Sequence, residues 1–393
     1  MPLFNIPPAL GKRIKRQVIG KSRPYFVVAP PGLETLCREE LALYLPASIH
    51  AQTTPGGVSF VGRLPECYLA NLHLRTASRI LMRLAEFRAG TMRELTRKLA
   101  GIPWELFLFA GRIPKLHVTC RHSKLYHSEA VADRVMASFK ASNATIPAFA
   151  PDSMSQQLFV RVKDNLLTLS LDSSGEHLHK RAIKTHRAFA PLRETLAAGI
   201  LALANYHPAE PLMDPMCGAG TFSLEAAMRA KKVPAGYFRQ FAFMGWPAFQ
   251  PARFAHLKKQ AGATIKILKD PLIFASDKNP QACQALLACL EQSTLADAVS
   301  VANKDIFDLT PGQLTPKKGL IILNPPYGIR LGTQKQSQDL IRNLIKKLRS
   351  DFRGWRLALI APAWVEITAF SNARCYRLMH GGLHLLLTVA KIG

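Results

Sequence analysis

Apolar and polar positions in the first half of the chain read as a small sheet with helices. "YFVVAP" at 25–30 is a strand, and the following "GLETLCREELALYL" puts Leu33, Leu36, Leu41 and Leu45 on the core side of an amphipathic helix. "TTPGGVSFVG" reads as a hairpin. "LPECYLANLHLRTASRILMRLAEF" reads as a helix-rich stretch in which Arg75, Arg79 and Arg83, at steps of four, share one helix face. Val118 and Cys120 alternate with polar neighbours ahead of a helix beginning near Ser128. "QQLFVRVKDNLLTLSLDSS" has period-two alternation on both sides of the turn residues Asp164 and Asn165. These elements make an α+β domain over residues 25–174.

From residue 196 the pattern changes to strands alternating with helices, as in a doubly wound α/β domain with a mainly parallel sheet. Helix "TLAAGILALAN", strand "PLMD", a glycine-rich turn and helix "TFSLEAAMRAK" are followed by "LIFASD", "QACQALLACL", "AVSVANKD", "GLIILNPPYG", "QDLIRNLIKKLR", "RLALIAP" and "LHLLLTVAKI". Such a sheet binds its ligand outside the carboxyl ends of the strands. The basic segment 175–195 is the expected linker and residues 1–24 a basic tail. The aromatic-rich insertion "GYFRQFAFMGWPAFQPARFAHLKKQ" reads as packing.

Charge adds a partner to this picture. The 393 residues carry 52 Lys and Arg against 26 Asp and Glu, a net charge of +26, while 48% hydrophobic residues supply material for cores. Residues 1–200 hold 28 basic and 14 acidic side chains and residues 201–393 hold 24 and 12, so both halves would attract a polyanion. The longest apolar runs are interrupted well short of the roughly 20 residues a membrane span requires. The basic start lacks a secretory pattern and is read as the tail of a cytoplasmic protein, with an organellar presequence as the alternative. Seven cysteines with no CxxC pair argue against a zinc site or a disulfide framework, and His177, His179 and His186 have no ligand set around them, so no metal is expected.

Four loops carry candidate chemistry. In "DPMCGAGTF", Gly218 and Gly220 let the backbone approach a ligand, and Asp214 can orient donors or accept from a cofactor's amino group; no phosphate-loop Lys follows. Asp277 at the end of "LIFASD" can accept both hydroxyls of a ribose, although it lies 63 residues beyond Asp214, farther than in a simple dinucleotide fold. Asp305 and Phe307 in "NKDIFDL" can cradle an adenine; the same Asp is also a natural helix cap. "GLIILNPPYGIR" delivers Asn324, Pro325, Pro326 and Tyr327 to the same edge. Its prolines remove two amide donors and rigidify the turn, and Tyr327 is suited to stack on a planar substrate.

These motifs, in this order, resemble the class I S-adenosylmethionine-dependent methyltransferases. Within them the chain resembles the THUMP-containing RNA guanine-N2 methyltransferases, especially the bacterial 23S rRNA group. "APPGLETLCREEL", "NLHLRTASRIL", "SKLYHSEAVADRV" and "LDSSGEHLHKR" resemble the family's N-terminal blocks, and "APLRETLAAGIL", "DPMCGAGTFSLEAA" and "NPPYGIRLG" its catalytic part. The resemblance implies a Rossmann-like catalytic domain behind a ferredoxin-like and THUMP RNA-binding region. It implies S-adenosyl-L-methionine bound through Asp214, Pro215, Cys217, Gly218, Gly220, Thr221, Asp277, Asp305, Phe307 and Asn324. Asn324, Pro325, Pro326 and Tyr327 would hold the target base. Its expected partner is structured RNA, 23S rRNA or alternatively tRNA. The rival readings are an adenine-N6 enzyme, a protein glutamine methyltransferase and a noncatalytic RNA-binding or ribosome-assembly protein. Two positions depart from the family: Ala182 where a glycine commonly follows "HKR", and Ile329 where an acid follows "NPPYG".

Overall fold

The structure is a computed structural model that describes residues 6–109, 113–142, 155–183, 192–326, 333–365, 367 and 369–393. The chain divides into two compact units. The first takes residues up to Ala29, Cys37–Leu178 and Arg239–Lys259; the second takes Pro30–Leu36, His179–Phe238 and Gln260–Gly393.

The first unit is built from α1 (Pro8–Ile14), β1 (Arg23–Val28), α2 (Glu34–Ala42), β2 (Gln52–Thr54), β3 (Gly57–Gly62), α3 (Leu64–His73), β4 (Arg79–Arg88), α4 (Met92–Leu99), β5 (Lys115–Arg121), α5 (Ser128–Ala141), β6 (Gln157–Lys163) and β7 (Leu166–Asp172). One seven-stranded sheet runs β2-β3-β1-β4-β7-β6-β5, antiparallel except for the β5–β6 pair. Period-two alternation buries Tyr25, Val27, Val58, Phe60, Ile80, Met82, Val160 and Leu169 in its core. Asp164 and Asn165 both have positive φ (51° and 61°), as a two-residue hairpin turn between β6 and β7 demands.

One expectation is overturned here. Arg79 and Arg83 lie on a strand, not a helix, and Arg75 precedes it. A spacing of four is a whole number of strand periods as well as about one helical turn, so the pattern fits both. Pairing with β1 and β7 on either side decides it. Arg79 is also buried, in an ion pair with buried Asp172.

The insertion at 239–259 belongs to this first unit, far along the chain from the rest of it. Its Phe243 ring lies 4.5 Å from that of Tyr68, with Phe241, Trp246 and Phe254 in the same core. Arg239 donates to the carbonyls of Ser174, Glu176 and His177. The aromatic residues are packing, and the insertion explains why the second strand of the second unit comes so late.

The second unit comprises α6 (Glu194–Leu203), β8 (Leu212–Asp214), α7 (Thr221–Ala230), the end of α8 (Pro251–Gly262), β9 (Ile273–Asp277), α9 (Pro280–Glu291), β10 (Val299–Asn303), α10 (Pro311–Leu314), β11 (Leu320–Leu323), α11 (Gln334–Asp351), β12 (Arg356–Pro362), β13 (Arg374–His380) and β14 (Leu383–Lys391). Its sheet order is β10-β9-β8-β11-β12-β14-β13. The first five of these strands are parallel, and β14 is antiparallel to both of its neighbours. This is the Rossmann-like doubly wound arrangement, and both faces of the sheet are covered. Leu212, Ile273, Leu320 and Ile322 enter one core with α6, α7 and α9, while Met213, Ile321 and Leu323 enter another with α11. The strand order reverses between β8 and β11, which is where such sheets bind ligands.

Candidate active site

At that reversal the loops after β8, β9, β10 and β11 surround a cavity of about 360 Å³, within the range of roughly 300–1,000 Å³ usual for small-molecule sites. Pro215, Cys217, Gly218 and Thr221 reach it from the first loop, Asp277 from the second, Asp305 and Phe307 from the third, and Asn324 and Pro326 from the fourth. Nine of the expected residues, scattered over more than a hundred positions, thus converge on one wall system.

Asp277 joins two of these loops. Its Oδ2 accepts the Gly218 N–H and its Oδ1 the Asn279 N–H, both at 2.9 Å. Each carboxylate oxygen retains acceptor capacity for a ligand hydroxyl. Asp305 Oδ1 accepts the Phe307 N–H at 3.1 Å, so the capping role is real, and the Phe307 ring beside it is 40% exposed. Gly218 has φ +52°, and a Cβ built on it meets nothing within 4 Å; the space beside this backbone is open for a ligand.

Asn324 follows the last residue of β11. Its Oδ1 is buried and has no hydrogen-bond partner among the described residues. The next two residues are prolines and have no N–H to offer it. An unpaired buried acceptor costs about 1–3 kcal/mol, so the fold bears this cost at the one amide that lines the cavity beyond β11.

Three expected contacts do not reach the cavity wall. Asp214 is 1% exposed and accepts the Ser223 hydroxyl at 2.7 Å. Burial pushes its carboxyl up to about 7; the negative charge of Asp277 adds to this and the Ser223 contacts oppose it. It anchors the start of α7 to the end of β8. Gly220 has φ +73° and a Cβ there would lie 2.3 Å from Leu286 Cδ1, so this glycine serves the close approach of α7 to α9. Pro325 is buried and does not line the space. Tyr327 and Ile329 lie outside the described residues.

Met216, Phe222, Lys278, Ile306 and Leu340 also line the cavity without a distinguishing sequence signal. Phe222 and Leu340 are ordinary helix positions until the fold turns them inward. Lys278 follows Asp277 directly, and that adjacency was its only signal. Among the described residues, no cluster of His, Cys, Asp and Glu could hold a metal, and no helix is long and apolar enough to cross a membrane.

This fold with this site defines a methyltransferase whose methyl donor is S-adenosylmethionine. The described residues suit that molecule: two carboxylates, an exposed aromatic ring, an open glycine backbone and apolar walls. The chain belongs to the RMKL-like methyltransferase domain family, which it matches over residues 181–387, and residues 24–81 match the RlmL ferredoxin-like domain. It is 34% identical over 384 residues to the "Ribosomal RNA large subunit methyltransferase K/L" of Allochromatium vinosum, covering 92% of this chain and 51% of that one. It is 29% identical over 343 residues to the "Putative RNA methyltransferase slr0064" of Synechocystis sp., covering 85% of this chain and 87% of that protein. The chain therefore spans about half the length of the K/L relative. Among solved structures, SMU.472 complexed with SAH superposes with a TM-score of 0.81 at 24% identity over 94% of this chain and 98% of that one, a likeness of fold.

Proposed function

We propose that this chain transfers a methyl group to the exocyclic N2 amine of a guanosine in 23S rRNA. The observation that carries the reading is the buried Asn324 Oδ1, without a partner among the described residues, at a cavity edged by Asp277, Asp305 and Phe307. An amide oxygen held without a donor is complementary to an arriving amino group. The names of the K/L relatives and the charge of +26 support RNA as the substrate; guanine N2 and the large-subunit target rest on family resemblance.

When bound, S-adenosylmethionine supplies an electrophilic methyl carbon. The chain's own residues provide alignment. Asn324 Oδ1 accepts a hydrogen bond from the target amine and holds its nitrogen in line, and Tyr327 stacks on the base. Asp277 takes the ribose hydroxyls and Asp305 with Phe307 the adenine, while Gly218, Cys217, Thr221 and Pro215 border the remainder. Asp214 acts behind this loop, by fixing the start of α7. Correct placement of two reactants can account for about 7–11 kcal/mol of a barrier, so no histidine base is required. A paired guanine must be unstacked first, or be unpaired already. We assign RNA binding to the ferredoxin-like and THUMP-like region at 25–174 and methyl transfer to the part at 196–393 outside the 239–259 insertion, which belongs to the first unit.

The test is incubation of the purified chain with labelled S-adenosylmethionine and unmodified large-subunit rRNA, tRNA, DNA or a release factor, followed by nucleoside analysis. N2-methylguanosine in the rRNA is expected. N6-methyladenosine, label confined to tRNA, or methylated glutamine in the release factor would each replace this reading by the corresponding rival.

A further inference from the structure

The outward face of the first unit's sheet has a composition that a solvated face does not need. The side opposite the core carries Phe26 on β1, Arg83 and Arg88 on β4, Phe159, Arg161 and Lys163 on β6, and His117 and Arg121 on β5. Strand pairing sets them in rows. Arg83, Ser170, Phe159 and His117 are partners across four strands. The next row is Glu86, Thr168, Arg161 and Thr119, and the third is Arg88, Leu166, Lys163 and Arg121.

Two pairs of planar groups meet in and beside the first row. The His117 and Phe159 rings are 4.6 Å apart at 15°, and His117 is held by a 3.0 Å hydrogen bond to Gln157. The Arg83 guanidinium lies 5.2 Å from the Phe26 ring centroid. The Phe159 ring also carries the Arg79 guanidinium, 5.2 Å from its centroid, so the planar surface left on this face belongs to the partly buried Phe26, His117 and Arg83. A further hollow of about 390 Å³ adjoins Arg83, bordered by Pro24, Gln52, Ser59 and Val61, the last 56% exposed.

Charge on this face is one-sided. Arg83, Arg88, Arg121, Arg161 and Lys163 face two carboxylates, Glu86, which sits 3.4 Å from Arg83, and Asp164, 3.8 Å from Lys163. Arg121 and Arg161 have no carboxylate partner among the described residues, and the proximity of Arg161 helps to lower the Arg83 pKa, behind the larger effect of burial. Like charges that outnumber their counter-charges raise the energy of the isolated protein and lower it on contact with a polyanion.

We propose that this face is a stacking platform for a few unpaired nucleotides of the RNA substrate: bases against Phe26, Arg83 and the His117 ring that Phe159 supports, phosphates along Arg161, Lys163 and Arg121. The inference rests on the RNA reading above. Single strands are held by aromatic and guanidinium planes beside a cationic track, because every base has a π-face and every linkage a charge. A duplex hides its bases and would meet only the cations. The platform thereby gives the chain a grip on the unpaired flank of a target, which suits an enzyme that needs its base outside a helix.

The test uses the full chain and fluorescence anisotropy with a short unstructured oligoribonucleotide and, separately, a duplex RNA of equal length. His117→Ala and Phe26→Leu each weaken single-strand binding by about five- to tenfold or more, while duplex affinity changes less than twofold. The Arg121→Ala/Arg161→Ala variant alters exposed side chains without ion-pair partners, so it keeps its fold; it weakens single-strand binding and reduces the salt slope by about 1–1.5. Unchanged single-strand affinity in this variant and in His117→Ala, or equal losses for single strand and duplex, overturns the platform. S-adenosylhomocysteine affinity and methyl transfer by the wild type are read alongside. If oligonucleotide binding responds as stated while rRNA gains no N2-methylguanosine, the guanine reading fails and the platform stands; methylated guanosine with unaffected oligonucleotide binding is the reverse.

Discussion

The backbone N–H of Gly218 donates to the Asp277 carboxylate at 2.9 Å, bridging the loop after β8 and the end of β9. Fifty-nine residues separate the two in sequence. The bond makes the acidic wall and the glycine loop one object, so a change at either should register at the other.

Asp277→Ala removes both a proposed ribose acceptor and this tie. A hydrogen bond to a charged group contributes about 1.5–3 kcal/mol, so S-adenosylhomocysteine affinity is expected to fall by at least tenfold in calorimetry. Asp277→Asn, which keeps one acceptor, should fall less.

Asn324→Ala is expected to separate stability from activity. Removing an unpartnered buried oxygen relieves a cost of about 1–3 kcal/mol, partly offset by the cavity left behind. The midpoint of urea unfolding should therefore hold or rise, cofactor affinity should change little, and methyl transfer should drop by about a hundredfold or more. Wild-type transfer by this variant would remove Asn324 from the reaction.

Gly218→Ala and Gly220→Ala should differ in kind. At 220 the added methyl meets Leu286 at 2.3 Å in a left-handed backbone, so thermal denaturation should show a loss of roughly 2–4 kcal/mol. Leu286→Ala in the same chain should recover the steric part. At 218 only the backbone conformation is strained, for about 1–2 kcal/mol, and the larger effect should be on cofactor affinity.

Asp214 gives the fold a pH signature. Its carboxyl is held at about 7 by burial, above the value of about 3.9 expected in the unfolded chain. The native state therefore keeps a proton that the unfolded chain releases, and stability from this group is full below pH ~4 and is lost as pH rises towards ~7, at up to ~1.4 kcal/mol per unit. Urea unfolding from pH 4 to 8 should show a shallower decline in Asp214→Asn than in the wild type.

Ala182 stands where the family commonly has glycine, and its φ is +59°. A left-handed backbone favours glycine, the residue expected at this position. Ala182→Gly should raise stability by about 0.5–1 kcal/mol in thermal unfolding, the relief of Cβ strain exceeding the added freedom of the unfolded chain.

Where local chemistry and fold agree, the chain was readable residue by residue. Asp164 and Asn165 are side chains that tolerate positive φ, and they form the β6–β7 turn. Ser128 does begin a helix. Asp277, Asp305 and Asn324 end up on one cavity because each ends or follows a parallel strand, and parallel strands deliver their ends to one edge. Where two structures satisfy one pattern, the reading failed: the arginines at steps of four fit a helix face and a strand face equally, and only β1 and β7 as neighbours chose the strand.

By itself, then, the sequence determined the kind of elements, the Rossmann-like class of the second unit and the loops that carry its acids and its amide, since these depend on local periodicity and turn chemistry. The tertiary structure decided which of those residues face the ligand. It withdrew Asp214 and Gly220 behind the wall, brought Leu340 and Phe222 into it, took the 239–259 aromatics into the first unit's core and left Asn324 Oδ1 without a partner among the described residues. Burial and pairing are properties of neighbours distant in the chain, and no local pattern contains them.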